Sequence, residues 1–162
     1  MTEYLTVDVG GTDIKYGVMT ADGHLKESKK QSTPDNLAEF TQLIQSLIDQ
    51  YYEQVCGYAF SVPGKIDTKT ETIYFGGALT YLDGFCVESE LETYGKRISV
   101  QNDGKAAALA ELWLGNLKGI DNGVAMILGT GVGGGIILDG QLRIGPHFQA
   151  GEFSFMSSDY SA

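Results

Sequence analysis

The chain has 162 residues, 43% of them hydrophobic and 20% charged, with a formal net charge of -10. That is the size and balance of a globular domain with a core of its own, while the negative charge repels phosphate backbones and excludes nucleic acid as an expected partner. No apolar run reaches the length that spans a bilayer, so no membrane partner is expected either. Met1-Thr2-Glu3-Tyr4 carries no basic n-region, and Cys56 and Cys86 fit no metal or redox spacing, so a cytoplasmic protein with two reduced thiols is the expectation.

Residues 4–9 and 12–19 read as strands joined by a Gly10-Gly11 turn, and Ala21-Asp22-Gly23 turns the chain into a third strand near 24–31. Thr33 is placed to cap a helix with Pro34 in its first position, and Leu37, Phe40, Leu43, Ile44, Leu47, Ile48 and Tyr51 follow at helical spacing. Val55 to Val62 is an apolar run of strand length ended by Pro63-Gly64. A short helix is expected over 87–94 and a strand over 97–101. Asp103 opens an alanine-rich helix stopped by Gly115, and 123–129 with 134–138 form a second hairpin. This order is mixed α/β, not doubly wound parallel. A faint repeat accompanies it: Gly11-Thr12 with Gly17-Val18-Met19 is similar to Gly129-Thr130 with Gly135-Ile136-Ile137.

Glycine is in excess, with 22 in all and nine of them in Gly10-Gly11, Gly76-Gly77 and the run from Gly129 to Gly135. Such clusters beside strands let backbone amides approach a phosphate or a sugar, although tight turns and bulges are the commoner explanation of any one of them. In Asp8-Val9-Gly10-Gly11-Thr12-Asp13-Ile14-Lys15 the amides of Gly10, Gly11 and Thr12 can form a phosphate nest. Asp8 can hold Mg²⁺ through water, and Lys15 adds a point charge. Asp103, in Asn102-Asp103-Gly104-Lys105, sits at a helix start. A cap is the ordinary role there, and taking the proton of an attacking sugar hydroxyl is the other. The loop Gly129-Thr130-Gly131-Val132-Gly133-Gly134 joins two strands and suits a second phosphate clamp. Glu152 in Ala150-Gly151-Glu152-Phe153 can accept from sugar hydroxyls.

Together these residues resemble the ROK family (repressors, open reading frames and sugar kinases) over essentially the whole chain. Asp8 to Lys15 is similar to its phosphate-1 element and Asn102-Asp103 to its Asn-Asp pair. Its long signature is similar to the run from Leu128 through Gly131, Gly133, Gly135 and Gly145 to Gly151. The resemblance implies an α/β actin-like ATPase (ribonuclease H-like) fold, with a complete first lobe at 1–117 and the opening hairpin of a second lobe at 118–162. It implies phosphorylation of a hexose or β-glucoside hydroxyl by ATP and Mg²⁺, with Asp103 as general base. Asp8, Gly10, Gly11, Thr12, Lys15, Gly129, Thr130, Gly131, Gly133 and Gly134 would serve the nucleotide. Gly64, Gly76, Gly77, Asn102, Asp103 and Glu152 would meet the sugar.

Three departures refine this. Ser154-Phe155 stand where the signature closes with Gly-His; that His is a zinc ligand in many members, and no cysteine cluster follows, so no zinc is expected. Gly76-Gly77-Ala78 and Asp83-Gly84-Phe85 replace the family's usual Asn-bearing loop and, with Ala150 to Phe153, are similar to its β-glucoside kinase branch. Members also run to roughly twice this length, as two lobes of ordinary size do. Residues 118–162 are then expected to hold two apolar strands with no helix over them, so that the segment is mobile, packs on the first lobe, or pairs between chains as a homodimer. A non-catalytic sugar-binding or regulatory module and an inactive kinase fragment are the alternatives. The short lead before Tyr4 disfavours a repressor with its helix-turn-helix.

Overall fold

In the computed structural model, which describes residues 2–129 and 131–156, strand residues alternate between an apolar and a polar face from the start. Glu3–Val9 (β1) buries Leu5, Val7 and Val9 and turns Thr6 and Asp8 the other way, the period of two that one covered sheet face demands. Asp13–Thr20 (β2) runs antiparallel to it, with Leu5 opposite Val18 and Val9 opposite Ile14. The third strand, Lys29–Ser32 (β3), starts later than the 24–31 expected. After the turn only Leu25 bridges Met19, and the Glu27 carbonyl then bulges over Gly17, where a side chain would collide with it.

The helix Leu37–Tyr51 (α1) buries Phe40, Ile44, Leu47, Ile48 and Tyr51 in the core. Its cap is Asn36, whose side-chain oxygen accepts from the Glu39 amide at 2.9 Å, and not the expected Thr33. Thr33 is engaged elsewhere: its hydroxyl donates to the Gly10 carbonyl at 2.7 Å and its amide to the Thr12 carbonyl at 2.9 Å.

Gly57–Val62 (β4) lies parallel to β1. Next comes a small hairpin, Lys65–Asp67 (β5) and Thr72–Tyr74 (β6), which sequence periodicity did not reveal because each strand is three residues long. The helix expected over 87–94 is a short α-helix, Val87–Leu91 (α2), followed by a 3-10 turn at Glu92–Tyr94. The α2 cap is Cys86, whose sulfur accepts from the Ser89 amide at 3.4 Å. Arg97–Asn102 (β7) closes a five-stranded sheet of order β3-β2-β1-β4-β7, with β7 parallel to β4.

The chain divides into two compact units, Met1–Asn102 and Asp103–Ala162, so the helix after Asn102 falls in the second unit, whereas the sequence reading ended the first lobe at 117. The second unit holds Asp103–Trp113 (α3) and a three-stranded antiparallel sheet of Gly123–Leu128 (β8), Val132–Leu138 (β9) and Gln141–Arg143 (β10), in the order β10-β9-β8. Helix α3 packs on β9 and β8, which corrects the expectation that these strands lack a covering helix. Small residues make the packing close: Ala108 is fully buried, and a side chain on Gly135 would sit 2.6 Å from its Cβ. The opposite face, with Val124, Met126 and Leu128, is exposed. The faint repeat corresponds to two antiparallel meanders, β1-β2-β3 and β8-β9-β10. No helix among the described residues is long and apolar enough to cross a membrane.

Candidate functional site

The polar face of the first unit's sheet carries the first cluster. Asp8 is exposed on β1, Lys15 lies directly opposite it on β2, and Ser61 lies beside it on β4. The Ser61 hydroxyl donates to Asp8 Oδ1 at 2.8 Å, which fixes one oxygen of an exposed residue's carboxylate. Ser61 was not among the sequence candidates. Its proximity to Asp8 comes from a parallel strand pairing that spans more than fifty residues of chain and leaves no local signature.

Beyond Asp8 the turn Gly10-Gly11-Thr12 is pinned from both sides. The Gly10 amide donates to the Asp13 carbonyl at 3.0 Å, and Thr33 holds the carbonyls of Gly10 and Thr12. The amides of Gly11 and Thr12 are therefore carried on a fixed loop, and the Gly10 amide is committed to the turn itself.

The second cluster gathers at the carboxyl ends of β4 and β7, where open α/β sheets bind ligands. Asn102 is 6% exposed and its Nδ2 donates to the Gly64 carbonyl at 3.0 Å. Gly64 has φ +98°, and any side chain on it would run into the Phe75 carbonyl, so glycine is required there twice over. The segment it touches, Phe75-Gly76-Gly77, is tied down by Asp83, whose Oδ1 accepts from the Phe75 amide at 2.9 Å, and by the Gly77 amide, which donates to the Phe75 carbonyl at 2.7 Å. The candidates Gly64, Gly76, Gly77 and Asn102 thus form one neighbourhood.

In the second unit Asp103 begins α3 with its side chain exposed, and Oδ1 accepts from the Gly104 amide at 2.8 Å. The first turn of this helix is pressed on β9: a Cβ on Gly104 would lie 2.5 Å from the Gly134 nitrogen. A Cβ on Gly151 would lie 2.8 Å from the Gly135 Cα, so the turn before Glu152 is held against the same strand. Glu152 is half-buried and its Oε1 accepts from the Ser154 hydroxyl at 2.7 Å.

Lys105, in the same turn as Asp103, is buried, and burial pushes its ammonium below the ordinary lysine range while the carboxylates of Glu152 and Asp103 act to raise it. The sequence reading missed this residue's burial, because an alanine-rich helix has no marked apolar face to show which side is covered. Of the glycine loop, Gly129 and Gly131 lie on an exposed turn closed by a 2.9 Å bond from the Gly129 amide to the Gly131 carbonyl. Gly133 is half-buried and Gly134 is packed under α3. Thr130 lies outside the described residues. Among the described residues no three His, Cys, Asp or Glu side chains come together as a metal cage.

The family model described as the ROK family matches residues 4–160. A beta-glucoside kinase of Klebsiella pneumoniae is 39% identical over 155 residues, covering 94% of this chain and 52% of that protein. A ROK family protein from Streptococcus pneumoniae TIGR4, crystallised in complex with sucrose, gives a TM-score of 0.88 at 31% identity, covering 99% of this chain and 54% of that one. A ROK family glucokinase from Streptomyces griseus, in complex with glucose and AMPPNP, gives 0.85 at 29% identity, covering 97% and 51%. The fold is therefore the actin-like ATPase fold, and the chain spans about half the length of the curated relatives it matches.

Proposed function

Because the chain belongs to the ROK family, we propose that it carries the phosphate loops and the general base of a kinase that transfers the γ-phosphoryl group of ATP to a sugar hydroxyl. The observation that carries this reading is the exposed Asp103 carboxylate at the first residue of α3, directly after a buried Asn102 whose amide is held by Gly64. A base must reach its proton and keep its place, and a carboxylate fixed by a helix start does both.

In the reaction the sugar hydroxyl gives its proton to Asp103 as its oxygen attacks the γ-phosphorus, and the bond to ADP breaks on the far side. Asn102, Glu152 and the backbone at Gly64, Gly76 and Gly77 orient the sugar hydroxyls. The amides of Gly11 and Thr12 and the Lys15 ammonium receive phosphate oxygens on the first loop, and Gly129 to Gly134 on the second. Mg²⁺, when bound, would offset the phosphate charge, and Asp8 would hold it through water: an exposed carboxylate on a sheet strand, steadied by Ser61, fits that task. The glycine variant at 76–77 and the kinship with a beta-glucoside kinase favour a β-glucoside as the sugar. The same reading puts the protein in the cytoplasm.

Asp103→Asn tests it in the full-length natural protein. Turnover should fall about 10²–10⁴-fold with sugar KM little changed. Normal turnover by this variant would remove the base role and leave Asp103 as a helix-start residue only.

A further inference from the structure

Among the described residues, Lys105 is the only charged side chain that is buried, at 2% exposure. Lysine is almost never sealed to this degree without opposite charge beside it, since an ammonium out of water is costly unless it is paired. Packing gives no reason for the choice. Its neighbours Ala106, Ala107 and Ala108 are small and apolar, and a methionine would fill the lysine's stem without the cost of a charge.

The backbone explains how the side chain comes to be enclosed. Gly104 and Gly134 let the first turn of α3 touch β9. A side chain on Gly135 would lie 3.7 Å from the Lys105 Cα, and Gly151 closes on Gly135 from the turn that leads to Glu152. Three segments thus meet around one lysine, and two of them carry an acid. The charged groups acting on it are Glu152 and Asp103. The strands under α3, Gly123–Leu128 and Val132–Leu138, have no titratable side chain, and Arg143 of β10 is paired with Asp139 at 3.0 Å.

We propose that Lys105 is a positioning residue for phosphoryl transfer, whose ammonium joins Asp103 and Glu152 and keeps both carboxylates charged and in place. The role rests on the kinase reading above. Two carboxylates in one site repel, and one of them is then driven to hold a proton. A protonated Asp103 cannot take the sugar's proton, and a protonated Glu152 accepts one hydroxyl fewer. One buried cation removes both problems without touching the substrate.

The test is the pH dependence of kcat in the full-length natural protein, for Lys105→Met and Lys105→Arg beside the unaltered enzyme. The acid limb of Lys105→Met should move toward neutral pH by about one unit, while Lys105→Arg, which keeps the charge, should leave it near its original place. An acid limb unmoved in Lys105→Met would reduce Lys105 to packing and overturn the proposal. Should Lys105→Met not fold, Glu152→Gln reads the same link from the other side. With one carboxylate gone the ammonium faces Asp103 unopposed, so the acid limb should move to lower pH, and an unmoved or raised limb overturns the role. If the unaltered enzyme phosphorylates no sugar, the kinase reading itself fails and this role with it; a moved or unmoved limb in an active enzyme judges Lys105 only.

Discussion

In Met1–Asn102 large apolar side chains fill the space between sheet and helix; in the second unit glycines take the space away. Leu5, Ile14, Ile48, Ile73 and Leu82 of the first unit are all 0% exposed. Under α3 the buried positions include Gly104, Lys105, Ala108, Ala125, Gly134 and Gly135, with Ile137 the large apolar exception, and Val124, Met126 and Leu128 of β8 face outward, Leu128 at 76% exposure. Large side chains bury area, at roughly 25 cal/mol for each Å² removed from water, and so give a unit its stability. Glycines bury little, but they let backbones touch, which draws Asp103, Lys105 and the Glu152 turn around one strand. The difference is between a unit arranged for stability and one arranged for proximity.

The largest expected effect tests the first half of that contrast. Ile48→Ala removes a fully buried side chain from the α1 stripe and should cost about 2–5 kcal/mol in a urea unfolding curve. A cost within the range of a surface substitution would mean that the first core is not the source of stability.

The next effect tests proximity, and it does so by sign. Glycine to alanine inside a helix ordinarily stabilises by up to about 1 kcal/mol. Gly104→Ala should instead destabilise by about 1–3 kcal/mol, since its new methyl would lie 2.5 Å from the Gly134 nitrogen. Amide hydrogen exchange should locate the loss in β9. A stabilised Gly104→Ala would show that α3 has room to spare above the strand.

Smaller still is Tyr58→Phe. The Tyr58 hydroxyl is buried in the first core with no hydrogen-bond partner among the described residues, and burial pushes it up to about 12, with Tyr52, Tyr94 and Asp49 adding to the rise. Removing it should gain about 1 kcal/mol. The pH dependence follows with its sign. From the ordinary value of 10.0 up to about 12 the unfolded chain gives up this proton while the folded chain keeps it, so stability falls as pH rises through that window. Tyr58→Phe should lose that contribution to the fall, which parallel thermal melts from pH 9 to pH 12 would measure.

The smallest effect belongs to the exposed sheet face. Met126→Gln alters a residue 51% exposed and should leave stability within about 0.5 kcal/mol. If the face pairs two chains, as the homodimer expectation holds, the same change should lower the association seen by sedimentation while leaving the melt of dilute protein alone.

The long elements were legible because their periodicity is local: β1, β2, α1, β4 and α3 stand close to where alternation and helical spacing put them. The three-residue strands β5, β6 and β10 are too short to show a period. The α1 cap was misplaced because Thr33 and Asn36 both have cap chemistry. Only the tertiary bonds from Thr33 to Gly10 and Thr12 decide between them. At the site, Asp8, Asn102, Asp103 and Glu152 were visible as residue types in sequence order. Ser61 and Lys105 were not, since a parallel strand pairing and glycine-to-glycine contact each depend on chain segments far apart.

The sulfur that caps α2 also decides how the protein can be labelled. Cys56 is exposed and Cys86 half-buried, with its sulfur between the Ser89 amide and the Thr70 carbonyl. A maleimide dye should therefore react first at Cys56, beside the start of β4, and only later at Cys86. Alkylation at the second site replaces the S–H that donates to the Thr70 carbonyl with a bulky group and crowds the sulfur that accepts from the Ser89 amide, at the start of a five-residue helix. Cys86→Ser keeps an acceptor at the cap, and an oxygen is the better one. It would leave a single addressable thiol for fluorescence or spin-label work with α2 intact.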